Sequence, residues 1–116
     1  MTVDELSKYI LSPAIIELFE VTEIKDDNKR NRMDIYLDER KVMPSDLNGV
    51  EAISYGFTTA TTVRDFPIRG KSVFLHLRRR KWLKKENNEI VTRKISITYK
   101  GTDLTTDFVA FLKATN

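Results

Sequence analysis

Val63-Arg64-Asp65-Phe66-Pro67-Ile68-Arg69-Gly70-Lys71-Ser72-Val73-Phe74-Leu75-His76-Leu77-Arg78-Arg79-Arg80-Lys81-Trp82-Leu83-Lys84-Lys85 runs without a break from an apolar strand into a block of cations. Side chains alternate along an extended backbone. Val73, Leu75, Leu77, Arg79 and Lys81 therefore share one face, and Phe74, His76, Arg78, Arg80 and Trp82 share the other. Both faces change from apolar to cationic at the same point, which predicts one end anchored in a core and the other held out in solvent. Pro67 cannot donate to a sheet ladder and Gly70 permits a tight approach, so 66–71 reads as a turn feeding the strand. Lys84 to Glu89 is polar and turn-forming, after which Val91, Arg93, Ile95, Ile97 and Tyr99 alternate again. The pattern predicts a long hairpin, 72–83 with 90–99, whose tip and distal half are basic.

Toward the N-terminus, Leu6, Ile10, Ile15, Ile16 and Leu18 stand near helical spacing, interrupted at Pro13. With Ser12 as a cap and Pro13 in a first turn, two short helices follow, 3–10 and 13–19. Residues 19–24 alternate as a strand, 26–31 form a polar turn, and Met33, Ile35 and Leu37 then face away from Asp34, Tyr36 and Asp38. This predicts another hairpin, 20–25 with 32–38, whose turn accounts for Asp26 and Asp27 without a metal. From Glu39 to Ala60 the pattern is weak: a loop from Pro44 to Gly49 with one helical turn at 44–48, then a short strand at 51–57. Thr58, Thr59, Thr61 and Thr62 suit a strand by β-propensity, and their hydroxyls are alternatively available to phosphate. Asp103 or Thr105 caps a C-terminal helix with Phe108, Phe111 and Leu112 as its buried stripe. The expected fold is α+β in a single domain, 1–116. Short N-terminal helices and the first hairpin fill 1–40, a metal-free, ribbon-like antiparallel basic hairpin spans 50–100, and a C-terminal helix occupies 103–114.

A chain of 116 residues with 41% hydrophobic and 32% charged content suits one soluble domain. It has no apolar run of about eighteen residues and no signal-peptide pattern, so the expectation is a cytoplasmic protein that meets no membrane. The absence of cysteine excludes disulfides and thiolate metal sites. The net charge of +3 conceals a division. Residues 1–66 hold 8 Lys/Arg against 13 Asp/Glu, net −5, and residues 67–116 hold 12 against 4, net +8.

Cations concentrated on one ribbon point to an acidic partner, of which nucleic acid is the commonest. The candidate DNA-binding residues are Arg69, Lys71, His76, Arg78, Arg79, Arg80, Lys81, Lys84, Lys85 and Arg93. The competing account is an edge strand kept soluble by Lys and Arg. Two further alternatives are a protein-interaction module and an RNA-binding domain that stacks bases on Phe74, Trp82 and Tyr99. No Gly-rich phosphate loop, metal-ligand cluster or acid/base pair specifies catalysis, so neither an enzyme nor a cofactor is expected. The lone His76, mid-strand beside Phe74, reads as a sheet-face or DNA-proximal residue.

The order of these parts resembles the N-terminal region of a group of bacterial insertion-sequence transposases. In that group a strand like Met33-Asp34-Ile35-Tyr36-Leu37 precedes a zinc ribbon whose second part has the form Val-Arg-Asp-Leu-Pro-x-x-Gly-x-x-Val-x-Leu-x-Leu-x-x-Arg-Arg. Residues 63–80 match this string almost position by position, and Gly101 to Leu112 is similar to the segment leading into the family's helix-turn-helix. The zinc cysteines are missing, both at 41–54 and at 82–88. The chain is closer to a subgroup from Bacteroides-like bacteria in which Phe-Pro-(Ile/Leu)-Arg-Gly-Lys precedes Arg-Arg-Arg-(Arg)-Trp and no metal is held. Trp82 and Leu83 are expected to stand in for the metal by packing. The resemblance implies a module that binds double-stranded DNA at the element's ends. It implies as a second partner a catalytic transposase polypeptide, since no catalytic core follows Lys113.

Overall fold

The computed structural model describes residues 11–95, 104–106 and 112–113. One helix and seven strands follow in order: α1 (Pro13–Leu18), β1 (Phe19–Asp27), β2 (Arg32–Glu39), β3 (Ala52–Phe57), β4 (Thr61–Ile68), β5 (Lys71–Arg78), β6 (Arg80–Lys84) and β7 (Ile90–Thr92), with a 3-10 turn at Ser45–Leu47. The strands form two sheets, a four-stranded one ordered β1-β2-β5-β4 and a three-stranded one ordered β3-β6-β7. The described residues are thus mostly β, which corrects the expected α+β fold. No C-terminal helix is among these elements, although most of 103–114, like the expected helix 3–10, lies outside the described residues. Leu104 and Thr105 form an isolated bridge: Leu104 pairs in parallel with Arg64, and the Thr105 N–H donates to the Arg64 carbonyl at 2.8 Å. Thr105 is buried with its hydroxyl on the Asp65 carboxylate, at 2.8 Å.

The helix at 13–18 forms where its punctuation is. Ser12 caps it, its Oγ accepting from the Ile15 N–H, and Pro13 occupies the first turn. Ile15 from this helix joins Leu11, Phe19, Ile35, Leu37, Val63, Val73, Leu75 and Leu77 in one core. The alternating residues of β2 and β5 supply the middle of that core, because these two strands lie side by side, parallel, with Met33 opposite Val73, Ile35 opposite Leu75 and Leu37 opposite Leu77. The outward residues match as well: Tyr36 stacks on His76 at 4.6 Å, and Asp38 receives two hydrogen bonds from Arg78 at 2.7 Å. Packing on one face and charge on the other fix the same register.

The long basic hairpin exists, but its partner differs from the expected one. Residues 71–84 pair with 52–68, β5 against β4 and β6 against β3, while 90–92 meets only 81–83. The hairpin closes on Arg69-Gly70, both at positive φ (49° and 78°), with Ile68 opposite Lys71. That is the twist-matched two-residue connection, and Gly70 supplies its second position without steric cost. Halfway along, Thr58 and Arg79 hold the two strands together: the Thr58 N–H donates to the Arg79 carbonyl at 2.8 Å and the Arg79 N–H to Thr58 Oγ1 at 3.1 Å. At this waist the ribbon leaves one sheet and enters the other. Arg79 therefore falls between two strands, where continuous alternation predicts the middle of one.

Glu39 sits beside the waist. It continues the inward series Met33, Ile35, Leu37 and is 1% exposed. Its Oε1 accepts from the Arg80 N–H at 3.3 Å and its Oε2 from Arg93 Nε at 3.3 Å, and its carbonyl accepts from Arg80 Nη2 at 3.4 Å. One carboxylate thus ties β2 of the first sheet to β6 of the second and to the chain after β7. Removing one member of such a pair leaves an uncompensated buried charge. Glu39→Ala is expected to lower the unfolding free energy by about 3–5 kcal/mol in urea denaturation. Glu39→Met with Arg93→Met is expected to cost less than the sum of the two single changes.

Candidate nucleic-acid interface

The arginine-rich block is largely consumed inside the molecule. Arg78 grips Asp38 through Nε and Nη2 and lies 4.5 Å from the Phe57 ring centroid. Arg79 donates from Nη2 to the Ile95 carbonyl at 3.2 Å. Arg80 sits over the same Phe57 ring at 4.6 Å and donates from Nη1 to Ser54 Oγ at 2.9 Å. Lys84 pairs with Glu89 at 3.7 Å, Lys85 with Glu51 at 3.4 Å, and Arg93 with buried Glu39. Lys81 rests 5.5 Å from the Tyr55 ring. Arg78 and Arg80 meet on the Phe57 ring although β5 and β6 belong to different sheets. Lys71 bonds Asp26 and Asn28 across the sheet, and Arg69 is exposed in the β4–β5 turn.

His76 is a structural link on the outer face of the larger sheet. Its Nε2 lies 2.6 Å from Asp34 Oδ1 and its Nδ1 2.9 Å from Thr62 Oγ1, so three strands are joined through one ring. Asp34 also receives Arg32, at 2.9 Å from Nε and 2.8 Å from Nη2. The Arg32 hydrogen bonds, against a smaller opposing effect of burial and with help from His76, hold the Asp34 carboxyl down at about 2. Among the described residues no cluster of His, Asp and Glu could hold a metal ion, and no helix is long and apolar enough to cross a membrane.

A different group of cations comes together at one end of the larger sheet. The β1–β2 turn lies against the start of β5, with the Ser72 N–H donating to the Asn31 carbonyl at 2.9 Å. Asp27 Oδ1 organises that turn by accepting from the N–H groups of Lys29 and Arg30. Two hairpin turns, 28–31 and 69–70, thus stand side by side and gather Lys29, Arg30, Arg69 and Lys71. Next to them on the outer face, Arg32 and Arg64 flank Phe74 at 3.9 and 5.5 Å from its centroid. Arg64 also donates to Ser72 Oγ at 3.2 Å. Lys29, Arg64 and Arg69 are exposed and make no ion pair among the described residues.

Of the predicted set, this end contains only Arg69 and Lys71. Lys29, Arg30, Arg32 and Arg64 escape sequence reasoning because nothing local shows that β2 and β5 run side by side. Two consecutive cations in the first hairpin's turn are the only local signal of them. Of Trp82 and Leu83, expected to stand in for a metal by packing, Trp82 is 3% exposed on one face of the smaller sheet and half-buried Leu83 alternates onto the other.

No family model matches the chain, and neither a curated protein nor a solved structure matches it.

A carboxyl group held below its ordinary value of about 4 stabilises the fold above that pH, and the contribution is lost as pH falls through about 2. Urea midpoints of the wild type should therefore fall between about pH 4 and pH 2. In Asp34→Asn that part of the decline should be missing, which would leave a flatter profile at a lower plateau.

Proposed function

We propose that this chain is the DNA-binding module of a transposase. It acts in the cytoplasm on the ends of an insertion sequence, while another polypeptide segment performs the cutting. The cations that meet the phosphate backbone are those of the paired hairpin turns and the adjoining sheet face. Lys29, Arg64 and Arg69 lead, supported by Arg30; Lys71, held by Asp26 and Asn28, is structural in the same sense as Arg78. What carries the proposal is the juxtaposition of turns 28–31 and 69–70, which exposes several cations at one end of a rigid sheet. Phosphate contacts of this kind position a protein and supply most of its affinity.

Two features support it. Arg69 occupies a left-handed position, φ 49°, where Asn or Gly would be the comfortable choice for a two-residue turn. A residue that costs conformational energy at an exposed tip is well explained by a contact outside the chain. The same turn also lies inside the stretch, 63–80, that resembles the transposase family most closely. Arg78, Arg80 and Arg93 take a structural part in this account, because their guanidiniums are engaged by Asp38, Ser54 and Glu39.

Fluorescence anisotropy with a duplex carrying an insertion-sequence terminal repeat tests the proposal. Wild type should bind with log K falling against log salt with a slope of about −3 from three phosphate contacts, steeper if Arg30 joins. The combined change Lys29→Glu, Arg64→Glu and Arg69→Glu should abolish binding at physiological salt and leave the thermal midpoint within a few degrees. Arg78→Glu should lower the midpoint instead. Retained affinity in the triple variant would refute the proposal.

A further inference from the structure

The smaller sheet has an edge that no described residue covers. β3, Ala-Ile-Ser-Tyr-Gly-Phe, is its outer strand, and it carries none of the charges or prolines that usually protect an exposed edge. The Glu51 carbonyl accepts from the Lys85 N–H at 2.9 Å, so it points toward β6. By the alternation of an antiparallel ladder, Ala52 and Ser54 present their N–H and C=O groups the other way, to the open side. A groove of about 500 Å³ runs along that side, lined by Lys41, Met43, Ala52, Ile53, Ser54 and Trp82. Trp82 is nine-tenths buried and more, and its Nε1–H has no acceptor. A buried donor without a partner carries a free-energy cost.

The surroundings specify the occupant. Ile53, Leu83 and Ile90 form one row across the three strands on the outer face, with Tyr55 beside them, so apolar side chains have a continuous seat. Lys81 lies on that outer face beside Tyr55, whereas Lys41 lines the groove on the Trp82 face, and neither makes an ion pair among the described residues. A second copy's β3, Ala-Ile-Ser-Tyr-Gly-Phe, carries no acidic residue to meet either lysine. We infer that the open edge of β3 is a docking site for an extended segment of another polypeptide, with apolar and acidic residues in alternation, which adds to the smaller sheet as a fourth strand. This site lies at the end of the ribbon away from the Arg69-Gly70 turn, so protein and DNA would be held at opposite ends.

A fluorescein-labelled eight-residue peptide of alternating valine and glutamate is the probe. Anisotropy should show saturable binding, weakened at least about tenfold in Ala52→Pro, which removes an outward N–H without touching the β3–β6 ladder, and in Lys41→Glu. Peptide binding should shift the Trp82 indole and the Ala52 and Ser54 amide resonances, and should leave DNA affinity unchanged. Lys41→Glu lies outside every strand and keeps the test decisive if Ala52→Pro unfolds. The inference is overturned by absence of binding, by equal affinity for a valine–lysine peptide, by equal affinity in Lys41→Glu, or by unshifted Trp82. A concentration-dependent dimer lost in Ala52→Pro would likewise overturn it, by giving the edge to a second copy.

Discussion

A carboxylate with almost no contact with water stands where the two sheets of this protein meet. Glu39 occupies an inward position of β2, one step beyond Leu37, where alternation calls for another aliphatic side chain. A charge there is tolerable only if donors surround it, and the donors come from both sides of the waist: the Arg80 N–H from β6 and Arg93 beyond β7. The long ribbon can leave one sheet and enter the other at Thr58 and Arg79 because the inner surface at that point is polar and the Glu39 carboxylate there has donors. A leucine at this position would continue the core but would leave the Arg80 N–H and Arg93 Nε without these acceptors.

The same economy explains the unequal charge of the two halves of the chain. Acidic residues of the first half of the chain pair with basic residues of the second: Asp26 with Lys71, Asp34 with His76, Asp38 with Arg78, Glu39 with Arg93, Glu51 with Lys85. Parallel pairing of β2 with β5 is a long-range contact with a large loop to close, and matched charges on its outer face add register specificity to what packing supplies on the inner one. Segregation of charge along a sequence is therefore compatible with internal complementarity as well as with an external polyanion. Cations outside these pairs, at the hairpin turns and bordering β3, are the ones left to meet partners.

Local signals were readable wherever the physics is local. Ser12 and Pro13 mark the start of α1, the 26–31 turn marks the first hairpin, and Gly70 marks the tip of the ribbon, because capping, φ restriction and turn geometry act over a few residues. Alternation in 33–37 and 73–77 identified the inward residues of the core correctly. In 52–62 a short strand is legible, but its threonines and Gly56 blur the alternation, so periodicity points to 90–99 as the ribbon's partner where 52–68 is. Unbroken alternation through Arg79 likewise concealed the change of sheet, since a bend made by backbone hydrogen bonds to Thr58 leaves no mark on the pattern of side chains.

By itself the sequence determined the strands near the core, the tight turn at 69–70 and the excess of cations after residue 66, all consequences of side-chain periodicity and backbone sterics within a few residues. Tertiary structure alone decided which strands are neighbours, and so which cations are neutralised and which stay exposed. Arg78 and Arg69 are the same residue type only nine positions apart; one lies opposite Asp38 across a parallel pair and the other projects from a turn. Coulombic pairing depends on distance in space, and no local pattern in this chain encodes that β2 lies beside β5.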